Sequence, residues 1–123
     1  MRNQPKYNFF KNTTYALKGL RDIILSEKSF KIELIIICIL SIFLVYVDIA
    51  FLHKIWMFSS MFLVLIAEAI NSAIERVVDL VTKEYHPMAG RAKDVGSSIV
   101  FLSIVHAFII WICLILKNFN SIS

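Results

Sequence analysis

Residues 68–79, EAINSAIERVVD, follow directly on the apolar run 55–67 with no turn residue between them. That junction restricts the chain more than any other feature. A helical period of 3.6 places Glu68, Asn71, Glu75 and Asp79 on one face, at i, i+3, i+7 and i+11. The opposite face carries Ala69, Ile70, Ala73, Ile74 and Val77, which suit lipid or a neighbouring helix. An ionisable group at membrane depth costs several kcal/mol unless it faces a polar cavity, a partner or a metal. Pairing with Lys or Arg accounts for one such carboxylate more readily than for an aligned stripe of three. The stripe therefore marks a site.

The chain has 123 residues, which limits it to a single domain. Its hydrophobic fraction is 59%, with three Gly and two Pro, so neither disorder nor a loop-rich fold is expected. Three long apolar runs make it an all-α integral membrane protein. The net charge of +4 is for that reason not read as a nucleic-acid footprint. The first 31 residues lack a short apolar core with a small-residue cleavage site, so no signal peptide is expected. Cys38 and Cys113 fall in different spans at different depths, and no disulfide is expected between them.

Residues 8–26 repeat apolar positions at helical spacing, with Lys11, Lys18 and Arg21 on the other side. Such a segment reads as an interfacial helix, its cations near anionic headgroups of the membrane lipids. Ser26-Glu27-Lys28-Ser29 reads as a break and restart, with Ser26 or Ser29 as the cap. Span 1 is expected over 32–52, running past Asp48, with Glu33 at its mouth as either a snorkelling charge or something more. Span 2 is expected over 54–81, longer than a bilayer requires. Residues 82–94 read as a loop, since Pro87 and Gly90 interrupt helices. Span 3 is expected over 95–116, opening on Gly96, Ser97 and Ser98, small residues that permit close helix approach. His106 within it reads as an interhelical hydrogen bonder, and Trp56 and Trp111 as interfacial anchors.

Seven Lys or Arg precede the first span, and four flank the second loop (Arg76, Lys83, Arg91, Lys93). One, Lys54, lies at the first loop and one, Lys117, after the third span. The positive-inside rule then puts the N-terminus and the 82–94 loop in the cytoplasm. The interfacial helix, Glu27, the acidic stripe and Lys93-Asp94 converge on the side where ATP is.

These residue types suit phosphoryl transfer to a hydroxyl. Glu27 and Glu75 can jointly hold Mg²⁺, which takes oxygen ligands and usually one or two protein carboxylates plus phosphate oxygens. Glu68, deeper in the membrane, suits a base that takes a proton from a hydroxyl. Lys93, Arg91 and the amides at the start of the third helix offer positive charge to a polyphosphate. Asp79 reads as a brace between helix and loop. GRAKDVGSS has neither the spacing nor the Lys-Ser/Thr ending of a Walker A loop, and no HRD or DFG set occurs. The histidines lack zinc-ligand spacing.

EAINSAIERVVD, followed by EYHPMAGRAKDVGS, resembles the signature of the small prokaryotic diacylglycerol kinase family, which includes undecaprenol kinases. The likeness covers about residues 12–116, with KGL at 18–20 and SE at 26–27. It implies a homotrimer in the bacterial inner membrane, an interfacial helix and three spans per protomer, and a composite site between protomers. There, Mg²⁺ and ATP would phosphorylate a lipid hydroxyl. Position by position, the resemblance makes Glu68 the base, Asn71 the amide beside the reacting centre, and Glu27 and Glu75 the metal-holding carboxylates. Tyr15, Glu84, Tyr85, His86, Lys93 and Asp94 match nucleotide contacts, and Ser97 lines the lipid acceptor site. The chain departs from the pattern at Asn8, where relatives can carry an arginine that reaches ATP, with Lys6 and Lys11 nearby.

The leading reading is a diacylglycerol kinase making phosphatidic acid, with undecaprenol phosphorylation as the alternative inside the family. Outside it stand a non-enzymatic small membrane protein and a proton-coupled transporter built on Glu68. A transporter needs aqueous routes to both sides, whereas this chain gathers its polar groups at one.

Overall fold

The computed structural model describes residues 8–120, and among them every regular element is an α-helix. In chain order these are α1 (Phe9–Ser26), α2 (Lys28–Tyr46), α3 (Phe51–Val81) and α4 (Pro87–Phe119). The last three are long and apolar enough to cross a membrane, with mean hydropathies of 2.2, 1.7 and 2.9.

α1 begins where Asn8, in extended conformation, accepts the Lys11 amide on its side-chain oxygen at 3.1 Å. Asn8, where the resemblance led us to expect a departure, is thus a helix cap, a role for which a short polar side chain is suited. Lys6 lies outside the described residues. α1 ends at Glu27, a single extended residue that is also the cap of α2. The expectation that Ser26 or Ser29 caps the restart is therefore corrected. The Ser26 hydroxyl turns back to the Asp22 carbonyl at 2.7 Å, and Glu27 stands in the cap position with its carboxylate engaged elsewhere.

α2 has 19 residues, about 28 Å of helix, enough to cross the hydrocarbon once. It stops at Tyr46 instead of continuing to residue 52. Residues 47–50 form the connection, and α3 starts at Phe51 rather than 54. Val47 and Ile49 are apolar like span residues because both pack onto the core from within the turn. α3 runs unbroken for 31 residues, about 46 Å, so one end must project beyond the apolar layer.

The segment 82–94 is the larger correction. Only residues 82–86 are non-helical, and α4 takes up 87–94 as its first two turns. Pro87 occupies the first turn of α4, where its missing N–H costs nothing and its fixed φ favours the helix. His86 caps it, Nδ1 accepting the Met88 amide at 3.1 Å. Gly90 lies inside the helix with open space about it.

α3 and α4 make the most extensive helix pair, α2 packs less fully on α3, and α1 touches mainly α2. The buried core comprises Ile37, Leu44, Met57 and Met61, with Leu40, Leu65, Ile110, Trp111 and Leu114 packed against it. It lies toward the end carrying the α2–α3 turn. That end is also tied by polar contacts: Trp111 Nε1 donates to the Met57 carbonyl at 3.1 Å, and Asn118 Nδ2 meets His53 Nδ1 at 3.0 Å. Trp111 is thus an interhelical hydrogen bonder. His106, expected in that role, is exposed and lines a groove with Phe58, Phe62 and Ile66. Cys38 and Cys113 are both free thiols.

Candidate functional site

The acidic stripe becomes a site because two adjacent α3 residues reach in different directions. The Asn71 side chain donates from Nδ2 to Glu75 Oε1 at 3.2 Å, one helical turn on. Ser72, its neighbour and buried, donates its hydroxyl to Glu27 Oε1 across the junction of α1 and α2. Two carboxylates far apart in sequence are thereby each held by one of two consecutive residues.

Arg76, one turn beyond Ser72, ties α1 to the same place. Its Nη1 pairs with Asp22, while Nη2 donates to Ser26 Oγ at 3.0 Å and lies 3.5 Å from Glu27 Oε1. In the sequence, Arg76 stands out only as a cation that sets orientation, and nothing singles out Asp22. Their pairing crosses elements, so no local spacing announces it. Farther along α3, Asp79 accepts from Lys93 Nζ at 2.7 Å, bridging the ends of α3 and α4 across the short loop. Asp79 thus braces, as expected, and it does so against a residue assigned to the nucleotide. The pair is about half exposed, so solvent screens it and it contributes little to stability.

Deeper toward the core, Glu33 on α2 neighbours Glu68 on α3. Glu33 is half-buried beside the stripe. A signal for it existed, since an acid one turn inside an apolar helix facing a second acid-bearing helix is costly unless used. Glu33 Oε2 and Asn71 Oδ1 are buried with no hydrogen-bond partner. Buried side-chain oxygens are nearly always satisfied, so two unpartnered ones at one end of the molecule set that end apart from the packed core. Glu33 also stands at the rim of an apolar groove of about 290 Å³ walled by Ile36, Leu40, Val64, Ile104 and Phe108.

The remaining expected residues surround this centre less tightly. Tyr15 is half-buried on α1. Glu84 and Tyr85 sit on the 82–86 loop, Tyr85 with 92% of its surface exposed, and Asp94 and Ser97 are exposed on α4. His86 spends Nδ1 on its cap, leaving Nε2 for any further contact.

Among the described residues no three His, Cys, Asp or Glu gather as a metal cluster. The donor set nevertheless fits Mg²⁺. Glu27 and Glu75 are hard oxygen donors, each oriented through Oε1 by Ser72 or Asn71, and Mg²⁺ commonly takes just one or two carboxylates, completing its shell with phosphate oxygens and water.

Residues 14–115 match the sequence pattern of the prokaryotic diacylglycerol kinase family. The chain is 38% identical to the diacylglycerol kinase of Escherichia coli over 106 residues, 86% of this chain and 87% of that protein. It is 38% identical to the Haemophilus influenzae diacylglycerol kinase over 100 residues, covering 81% and 85% of the two chains. The Helicobacter pylori diacylglycerol kinase shares 32% identity over 103 residues, 83% and 80% of the two.

Proposed function

The chain belongs to the prokaryotic diacylglycerol kinase family and is a lipid kinase; from that premise we propose that it transfers the γ-phosphoryl group of ATP to the hydroxyl of diacylglycerol, giving phosphatidic acid. One observation carries this reading: Asn71 and Ser72 hold the Glu75 and Glu27 carboxylates on the half of α3 that also carries Glu68, whose neighbour Glu33 lines an apolar groove. The groove suits an acyl chain, and the carboxylates above it suit a metal-bound polyphosphate.

In the proposed reaction the lipid hydroxyl oxygen forms a bond to the γ-phosphorus, the bond from that phosphorus to the ADP oxygen breaks, and the hydroxyl proton passes to Glu68. Glu33, with an unpartnered oxygen beside Glu68, helps orient the entering hydroxyl. Glu27 and Glu75 hold Mg²⁺, which when bound neutralises charge on the transferring phosphoryl oxygens. The Asn71 amide sets the Glu75 carboxylate. Lys93 leaves Asp79 for the nucleotide phosphates, and Tyr15, Glu84, Tyr85, His86 and Asp94 contact ATP. Ser97 lines the lipid acceptor site. The protein acts as a homotrimer in the bacterial inner membrane with its N-terminus in the cytoplasm, where the basic residues of α1 meet anionic lipid.

The relatives' shared description as diacylglycerol kinases favours this lipid over undecaprenol. Purified protein in mixed micelles with labelled ATP, Mg²⁺ and either lipid tests the proposal. Label in phosphatidic acid is the expected outcome. Label confined to undecaprenyl phosphate would move the chain to the other branch, and label in neither, with folded protein, would end the kinase reading.

A further inference from the structure

Gly96 is buried on α4 directly opposite Asn71, and its missing side chain is the space that the Asn71 amide occupies. A Cβ built at Gly96 would overlap Asn71 Oδ1. It would stand at ordinary contact distance from everything else, 3.5 Å from Asn71 Cγ and 3.6 Å from Ile74 Cδ1. Close helix approach alone therefore does not demand glycine here. The backbone of α3 and the neighbouring isoleucine would both accept an alanine, and only one amide oxygen would have to move.

That oxygen is one of the two orphaned buried atoms noted above. Its orientation is dictated by its own amide, since Nδ2 donates to Glu75 Oε1. Were the amide reversed, its oxygen would face the Glu75 carboxylate and two acceptors would meet. The side chain is thus pinned from one side by Glu75 and from the other by the bare Cα of Gly96. An unsatisfied buried carbonyl costs free energy, so this pose is maintained against a penalty.

Resting on the reading of Asn71 as part of the transfer site, we infer that Gly96 is a positioning residue for the reaction: it sets the Asn71 amide so that Nδ2 stays on Glu75. A methyl group at 96 rotates the amide off Glu75 and leaves a metal-holding carboxylate without its guide. The cost appears in turnover, because the far end of a flexible side chain yields more readily than two packed helices.

Gly96→Ala, Asn71→Ala and the double variant test this in the full-length protein in lipid micelles. Gly96→Ala is expected to melt close to the wild type while kcat falls on the order of tenfold to a hundredfold, the range that a misplacement of about an ångström produces. Its Mg²⁺ requirement should rise and its lipid KM should change little. In the Asn71→Ala background, adding Gly96→Ala should cost nothing more. In side-chain-amide NMR spectra of ¹⁵N-labelled protein, the Asn71 resonance should shift with Gly96→Ala. Full activity in Gly96→Ala, losses that multiply in the double variant, or an unmoved Asn71 resonance would each overturn the inference. Wild-type turnover in Asn71→Ala would instead remove Asn71 from the site, and Gly96's role in turnover with it, while a shifted resonance would still establish the contact.

Discussion

The two ends of the helix bundle handle polarity in opposite ways. At the end carrying the α2–α3 turn, polar groups are closed off within the chain: Trp111 bonds the Met57 carbonyl, Asn118 meets His53, and Lys54 Nζ lies 3.3 Å from the Val45 carbonyl. The buried core of Ile37, Leu44, Met57 and Met61 fills the space beside them. At the other end, carboxylates face one another, and both orphaned buried side-chain oxygens among the described residues are found there. One end closes its polar groups within a packed core, and the other leaves acidic groups and unpartnered oxygens together. Stability and turnover should therefore respond to different residues.

The largest effect should come from Glu68→Gln, which keeps the size of the side chain and removes the proton acceptor. A general base commonly contributes 10²- to 10⁴-fold, so turnover should fall by at least about a hundredfold with the melting temperature nearly unchanged. A variant retaining most of its kcat would remove Glu68 as base and blur the contrast between the ends. The converse substitution is Met57→Ala. Met57 is 2% exposed, and truncating a buried methionine typically costs about 2–5 kcal/mol. Denaturation should register that loss, while KM for ATP in the folded fraction stays near the wild-type value.

Glu27→Gln and Glu75→Gln should each shift the Mg²⁺ titration to higher concentration, read as initial rate against metal at saturating ATP. Curves that superimpose on the wild type in both variants would argue against a shared ion. The smallest effect should be that of Asp22→Asn. The Asp22–Arg76 pair is about half exposed, and such pairs contribute below about 1 kcal/mol. Its loss should be visible mainly at low ionic strength, as easier proteolysis within α1. A loss of several kcal/mol would show that the site end carries packing energy as well.

Much of the fold was legible from periodicity and hydropathy: one amphipathic helix, three apolar ones and a stripe of acids emerging from the second. The boundaries erred where apolar or turn-forming residues do a second job. Val47 and Ile49 look like span residues because they pack on the core, and Pro87 looks like a helix breaker although it starts α4. At the site, Glu68, Asn71, Glu75 and Asp79 were visible as one face because a helix's period is local information. The family likeness implied roles for Tyr15, Glu84, Tyr85, His86, Asp94 and Ser97 that spacing alone could not assign.

The chain's own order of residues determined that it lies in a membrane and that costly acids share a side of one helix, since both follow from transfer free energy and the pitch of the backbone. Only the tertiary structure decided which residues meet across helices: Ser72 with Glu27, Arg76 with Asp22, Glu33 with Glu68, and Gly96 with Asn71. Each of those pairings depends on the depth and rotation at which separate helices pack. Apolar surface is much alike in every direction and leaves both free, until close contacts of shape and hydrogen bonding select one arrangement.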